Sequence, residues 1–571
     1  MKFNNILKGS AAAATGLLMM SSCASDYLDT PVYGVEMAST ICETTAKARQ
    51  AVLGVSNLGV QAIWGENWGV AQGYWTAETT MGSMYGEVTG QDCYPHYIFT
   101  LNGAEFFTNI FNMTEGMLSD ASDYRWSYMC WSYCYGCLGQ LNEIIAQIDG
   151  AEGDESEKQF CKAQAYNLRA HMYLRLLQIY GPRWEDSNNG EALTVVNRNS
   201  PGEDAVKPCA PMNEILDQCY SDLDIAIECY KNAGSYQRQV TYEPDIRVAY
   251  GTYARLAALK HDWPKCREMA KNARQGLRME TEAEAMSGYQ SFNENEWIWS
   301  PSFLDIDNMI YGNWCTNFSC NAEGATNSRN NMRINIDLYN QIPEGDVRRD
   351  WWMTTDKLEG VNERLFFNVK AVDPTWQGFT NARLINAART WFDAHQEKYG
   401  IQGEHAYDGT TEQGKLTYTI CNGSQVKWWS NGPTGNTTMC HMPYMRAAEM
   451  YLYEAEACAE LGLDPEAQDL LVEINKNFNP SYTCSLTGQA LIDEVRLYRR
   501  VELWGEGFNW YDLKRWNLPM SRRAWVADDV TSGNMPPQLS VTVDPSANKG
   551  WRYSIPQQER NYNTAILGPI P

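Results

Sequence analysis

Two groups of side chains in this 571-residue chain have the types and spacing to do chemistry. The first is aromatic. Trp64, Trp68, Tyr74, Trp75 and Tyr85 stand in one stretch rich in Gly, Asn and Thr, and Trp297, Trp299, Tyr311, Trp314 and Phe318 stand in another. Flat aromatic faces suit the apolar C–H faces of sugar rings, while amides and charges fix the hydroxyls around them. Asn313, Asn317, Asn321 and Arg329 supply such polar partners close to Trp314. The competing reading is that these rings pack loops onto the body, and it favours the interior for most single tryptophans. Trp297 and Trp299 alternate as in a short strand, so at least one should face inward. Trp428 and Trp429, beside Lys427, fit either role. The expected sugar contacts are Trp75, Tyr85, Tyr311 and Trp314, whose Gly, Asn and Thr neighbours favour exposed turns, together with Asn313, Asn317 and Arg329.

The second group is charged. Arg496, Arg499, Arg500, Glu502 and Glu506 alternate with Val495, Val501, Leu503 and Trp504, placing both signs within helical reach of one another. Glu502 and Glu506 as a glycosidase acid and base would need two carboxylates held across a sugar ring. Two glutamates one turn apart among three arginines read instead as paired charges near a core, where unpaired ones are not tolerated. Other chemistry is thinly supported. Cys134 and Cys137 form one C-x-x-C pair without a second pair or a nearby His, so no zinc site is expected. With Cys130 they line the apolar stripe of a helix, as buried thiols do. The six histidines are isolated. Asp305-Ile306-Asp307-Asn308 resembles the start of a calcium loop, but Ile310 stands where Gly is needed. No nucleophile motif, Walker loop or dinucleotide fingerprint is present. Neither a metal nor a cofactor is expected.

The elements that must position these residues read as helices. Phe160 to Tyr180 carries apolar residues at three- and four-residue steps and stops at Gly181-Pro182. Tyr124 to Ile148, Asn213 to Tyr230, Arg247 to Lys260 and Lys265 to Gln275 repeat the pattern. Tyr444 to Leu461, a turn, then Glu466 to Lys476 form the clearest pair, with alanines at the crossing positions and the length of a tetratricopeptide repeat. The fold class is thus mainly α, with tetratricopeptide-like helix pairs. Between them 64–112, 291–333 and 399–442 read as long irregular loops with a few short strands, and long loops are where function concentrates.

Composition bounds the rest. The chain carries 46 basic and 70 acidic side chains, a net charge of −24. Nucleic-acid binding, which needs clustered Lys and Arg, is therefore excluded as an expectation. Lys2 and Lys8 precede the apolar run Gly9 to Met20, and Met20-Ser21-Ser22-Cys23 closes it with small residues. A bilayer core needs about 20 apolar residues, so the run reads as a secretory signal peptide over 1–22 and not as a membrane span. Acylation of Cys23 would anchor residues 24–571 to a membrane surface. Without Cys23, 16 of the 17 cysteines remain. Cys315 and Cys320, in a polar loop, are the best-placed disulfide; several of the others fall on apolar helical faces.

Four stretches, read in order, resemble the SusD-like (RagB/SusD) family of outer-membrane lipoproteins. They are Cys23 to Asp29, the helix ending Tyr180-Gly181-Pro182, Arg446 to Ala457 with its Ala-Ala-Glu start, and Val495 to Gly507 continuing to Tyr511-Asp512-Leu513-Lys514-Arg515-Trp516, with Ser554 to Glu559 behind. The resemblance implies a single domain over 23–571 with a right-handed scaffold of helix pairs. It also implies a lipid on Cys23 in the outer membrane, facing the exterior. The partner it implies is a SusC-like TonB-dependent transporter, which receives an oligosaccharide or polysaccharide without catalysis. A peptide ligand is the alternative within the family; a secreted glycoside hydrolase is the alternative outside it.

Overall fold

The structure, a computed structural model, describes residues 40–58, 81–94, 124–202, 206–300, 332–353 and 441–566 with short gaps, and also 78, 112–113, 423–425 and 427–428. Ten helices carry the architecture described below: α1 (Thr45–Leu58), α2 (Tyr124–Gln147), α3 (Glu155–Tyr180), α4 (Met212–Asn232), α5 (Ile246–Lys260), α6 (Trp263–Ala273), α7 (Ala447–Glu460), α8 (Asp464–Asn475), α9 (Gln489–Glu502) and α10 (Asn509–Trp516). Helices α2 to α8 lie where the apolar periodicity predicts them. Their ends have local causes. The Asp154 side chain accepts from the Glu157 amide at the start of α3, and Asp245 and Asp262 cap α5 and α6 in the same way. His261 ends α5 in the left-handed conformation at φ 56°.

The helices pack in sequence. α3 lies against α2, α4 and α5; α5 against α4, α6 and α7; α7 against α6, α8 and α9. Burial separates two rows. α3, α5 and α7 are buried almost all round, α7 from Ala447 to Ala459 without interruption. α6 and α8 bury one stripe each, Cys266, Met269, Ala270 and Ala273 in the former, Ala467, Leu471 and Ile474 in the latter. This is the layering of helix-pair repeats, in which each pair covers the apolar face of its neighbour. Small residues set the close crossings: a Cβ at Gly251 on α5 would run into the Met445 side chain.

Short strands tie the loops down. β1 (Cys93–Tyr94), β5 (Arg333–Ile334), β7 (Ser424–Gln425) and β6 (Trp352–Met353) form one antiparallel sheet in that order. β4 (Trp297–Trp299) pairs antiparallel with β8 (Met445–Arg446), immediately before α7. The hairpin-like pairs β2 (Leu193–Val196) with β3 (Cys209–Pro211), and β9 (Met520–Ser521) with β10 (Thr542–Val543), complete the strands described here.

One segment differs from its expectation as a loop. Met81–Val88 is a π-helix. The glycines flanking Tyr85 do not make turns there; they let another backbone approach, since a Cβ on Gly86 would collide with the Gly507 carbonyl. The Tyr511 hydroxyl donates to the Met81 carbonyl at 2.9 Å and fixes the segment against α10.

Every cysteine among the described residues is a free thiol, and all but Cys484 are buried, Cys130, Cys134 and Cys137 on α2 among them. Among the described residues no group of His, Cys, Asp and Glu is arranged to hold a metal, and no helix is long and apolar enough to cross a membrane.

Candidate functional site

Some of the segments that carry the expected sugar contacts border the short strands. The segment 301–331, holding Tyr311, Asn313, Trp314, Asn317 and Arg329, leaves from β4 and returns at β5. The segment 354–422 leaves from β6 and returns to β7, and Tyr85 lies on the π-helix that runs into β1. Because β1, β5, β7 and β6 are neighbours in one sheet, four strand ends from distant parts of the sequence meet within a few residues: Tyr94 pairs with Arg333, Arg333 with Ser424, and Ser424 with Met353. A common root gives loops a fixed frame. The residues Trp75, Tyr311, Asn313, Trp314, Asn317, Arg329 and Cys23 lie outside the described residues, as do Trp64, Trp68, Tyr74, Phe318, Asn321, Trp429, Cys315, Cys320 and the stretch Asp305 to Ile310. For Tyr85 the backbone alone is described.

Of the tryptophans singled out in the sequence, those that can be placed are interior. Trp297 and Trp299 are both buried, and Trp428 is stacked on Trp504 with ring centroids 5.7 Å apart. Trp299 Nε1 donates to the Tyr242 carbonyl at 2.8 Å. These rings hold the loop roots onto the body.

Directly beneath those roots is a cluster of buried charges. Arg446, at the end of β8, donates to Glu506 at 2.7 Å, to Glu502 at 3.0 Å and to Glu296 at 3.2 Å, with Glu280 at 3.6 Å. Lys427 Nζ reaches Glu506 at 2.8 Å, and Arg348 bridges Asp346 at 2.6 Å and Glu502 at 3.0 Å. Burial opposes ionisation of Glu502, but Arg446, Arg348 and Lys427 overcome it and hold that carboxyl below its usual range. Burial pushes Glu296 up to about 7 and Glu280 well above a normal carboxyl, although Arg446 pulls both down.

An ionised carboxylate beside a protonated one is the electrical pattern of a glycosidase pair. Access decides against it here. The side chains of Glu296 and Glu502 are 0% exposed and those of Glu280 and Glu506 1%, so no sugar ring reaches between them. The charges secure the fold, as expected, but their partners differ from the expectation of local pairing along one helix. Arg499 bonds Asp512 at 2.6 Å, Arg500 bonds Asp92 at 2.6 Å and Arg496 reaches Glu460 at 3.4 Å, while Glu502 and Glu506 turn to Arg446, Arg348 and Lys427. A pair joining residues 348 and 502 carries no short-range signal, which is why Glu280, Glu296, Arg348 and Asp346 are not singled out by the sequence alone.

The fold defines a class: a scaffold of tetratricopeptide-like helix pairs with a few short strands. Comparison with known proteins gives the family. The family model described as the SusD family matches residues 283–571, and one described as starch-binding associating with outer membrane matches 76–257. The chain belongs to the SusD family. Among solved structures it is similar to a SusD-like carbohydrate binding protein from Bacteroides vulgatus, with TM-score 0.67 and 18% identity over 92% of this chain and 97% of that one. It is also similar to a SusD superfamily protein from Bacteroides thetaiotaomicron, with TM-score 0.62 and 18% identity over 92% and 100%. A third is surface glycan-binding protein A from Bacteroides fluxus, with TM-score 0.60 and 15% identity over 92% and 99%. No curated protein matches the chain significantly. At these identities the likeness establishes the shared fold.

Proposed function

We propose that this protein is a glycan-binding lipoprotein of the cell surface, which captures an oligosaccharide or polysaccharide and delivers it to a SusC-like TonB-dependent outer-membrane transporter without catalysis. Residues 1–22 serve as its signal peptide, and residues 23–571 form one domain tethered to the outer membrane by a lipid on Cys23 and facing the exterior. The observation that carries this reading is the match of 76–257 to a family described as starch-binding and associated with the outer membrane. The structural relatives named for carbohydrate or glycan binding support it.

The physical account is a division of labour. The two rows of helices supply a stiff platform, and Trp75, Tyr85, Tyr311 and Trp314, on the segments 59–80 and 301–331 and on the π-helix between α1 and β1, serve as stacking faces. Asn313, Asn317 and Arg329 bond the hydroxyls at the ring edges. Binding needs no bond broken, and the carboxylate cluster of glycosidase-like character found among the described residues is sealed from solvent. Affinity electrophoresis in gels that contain different polysaccharides should show retardation by at least one of them, with no reducing sugar released from any. Retention by peptides alone would replace the glycan with a peptide ligand, and release of reducing sugar abolished by changing one carboxylate would make the protein a hydrolase.

A further inference from the structure

Away from the loops, the C-terminus of α3 meets α5, α7 and α10 around a half-open cavity of about 40 Å³. At about 10–15 Å³ per water it has room for roughly three waters or one small oxyanion. Four of its lining residues are cations: Arg183, Arg255, Lys514 and Arg515. Tyr453 and Phe508 supply apolar wall.

The charges around it do not balance. Arg255 is matched by Glu449 at 2.7 Å, and Arg515 by Glu456 at 2.6 Å and Asp512 at 2.9 Å. Asp512 also serves Arg499. Lys514 is 5% exposed, and no carboxylate among the described residues lies within ion-pairing distance of it. Its ammonium donates to the carbonyls of Gln178 at 2.8 Å and Gly181 at 2.9 Å, which leaves the third N–H unused. Those carbonyls close α3 and carry only about half a unit of negative charge. Arg183 is 8% exposed; one of its terminal nitrogens pairs with Asp186 at 2.8 Å, while its Nε is buried with no hydrogen-bond partner. Two cations at one cavity thus answer to a single carboxylate, and each has an N–H to spare. Burial, with the guanidiniums of Arg552 and Arg183 close by, pushes the Lys514 ammonium well down, so a negative group in the cavity would be needed to hold its proton.

We propose that this cavity binds a small anionic group, a carboxylate, sulfate or phosphate, held between Lys514 Nζ and Arg183 Nε. Tetrahedral and planar oxyanions accept such charge-assisted hydrogen bonds at short range, and the helical body, not the loop face, would then hold a second ligand. The site does not depend on what the loops bind.

The test is thermal unfolding of the purified protein against rising sulfate, phosphate or galacturonate, each compared with chloride at equal ionic strength and with glucose as the neutral control. The expected result is a saturable rise in Tm with at least one of the three over chloride; preference for galacturonate would assign the anionic group to an acidic sugar, and preference for sulfate or phosphate to a free ion. Lys514→Met and Arg183→Met should each weaken the half-saturation point by about tenfold or more, the scale of one lost charge-assisted bond. If Lys514→Met does not fold, Arg183→Met decides alone. No rise over chloride, or a rise that survives Arg183→Met unchanged, would overturn the proposal.

Discussion

The tryptophans of the body and those of the loops are alike in the sequence and unlike in their surroundings. Trp297, Trp299, Trp351, Trp352, Trp428, Trp504, Trp510 and Trp551 are all buried, and several meet other rings edge-on or stacked, as Trp352 does with Trp504 at 5.4 Å. Trp75 and Trp314 sit among Gly, Asn and Thr in the sequence and lie outside the described residues. Aromatic content is therefore not by itself a sign of sugar binding. Among the described residues most tryptophans are core, and what would set the remaining rings apart is neighbours in sequence that do not pack.

The largest break in that comparison lies beneath the loop roots. Arg446→Met would leave Glu280 and Glu296 without their cation and take from Glu502 and Glu506 one of the two that each has, the others being Arg348 and Lys427. The expected loss is about 3–5 kcal/mol or failure to fold, read by chemical denaturation; a loss within about 0.5 kcal/mol would show that the cluster does not hold the body together. Trp299→Ala comes next. It removes a fully packed ring and its bond to Tyr242, at about 3–5 kcal/mol, whereas Trp314→Ala should leave the melting temperature nearly unchanged and abolish most of any glycan retardation. If Trp314→Ala unfolds the protein, that ring is core like the others.

A smaller effect is expected from pH. Glu87 accepts the amides of Gly507 at 2.7 Å and Phe508 at 2.9 Å, yet burial pushes its carboxyl up to about 8 from 4.5. A carboxyl raised on folding favours the folded state most when protonated, so its contribution is complete below 4.5 and fades as pH rises through 8. Glu296, at about 7, acts in the same direction. Glu78 and Glu456 oppose it: despite burial, Arg175 and Arg515 hold them down at about 2, so their contribution is lost as pH falls from 4.5 toward 2. His171 and His441, held below their usual range by burial, act against Glu87 and Glu296 in the window from pH 5 to pH 8, so the clean readout is the variant: Glu87→Gln should remove a downward component from the slope of stability against pH, and an unchanged slope would remove Glu87 from the account. Cys23→Ala should leave stability untouched and move the protein from the membrane fraction to the soluble one, and retention in the membrane fraction would count against the lipid anchor.

The helices were legible because their signals are local: apolar steps of three and four, and Gly181-Pro182 as a stop; the caps Asp154 and Asp262 were not read, which is why α3 and α6 begin earlier than expected. The stretch Val495 to Trp516 was recognisable as a secured ion network for the same reason, but the identity of its partners was not. Glu502 finds Arg348 and Arg446, and Arg500 finds Asp92, across 154, 56 and 408 residues of chain. The π-helix at Met81–Val88 was hidden because glycines that permit a turn also permit close contact, and only the approach of Gly507 tells which is in use. Of the expected sugar contacts, all but the backbone of Tyr85 lie outside the described residues, and binding measurements on variants are what tests them.

The most direct measurement is retardation of the protein in polysaccharide-containing gels, run side by side for the natural chain and Trp314→Ala, with reducing sugar assayed in the same samples. Retardation by at least one glycan, lost in the variant at unchanged melting temperature and with no sugar released, is the expected result. Equal retardation of the two chains, or release of reducing sugar by the natural chain, would contradict it.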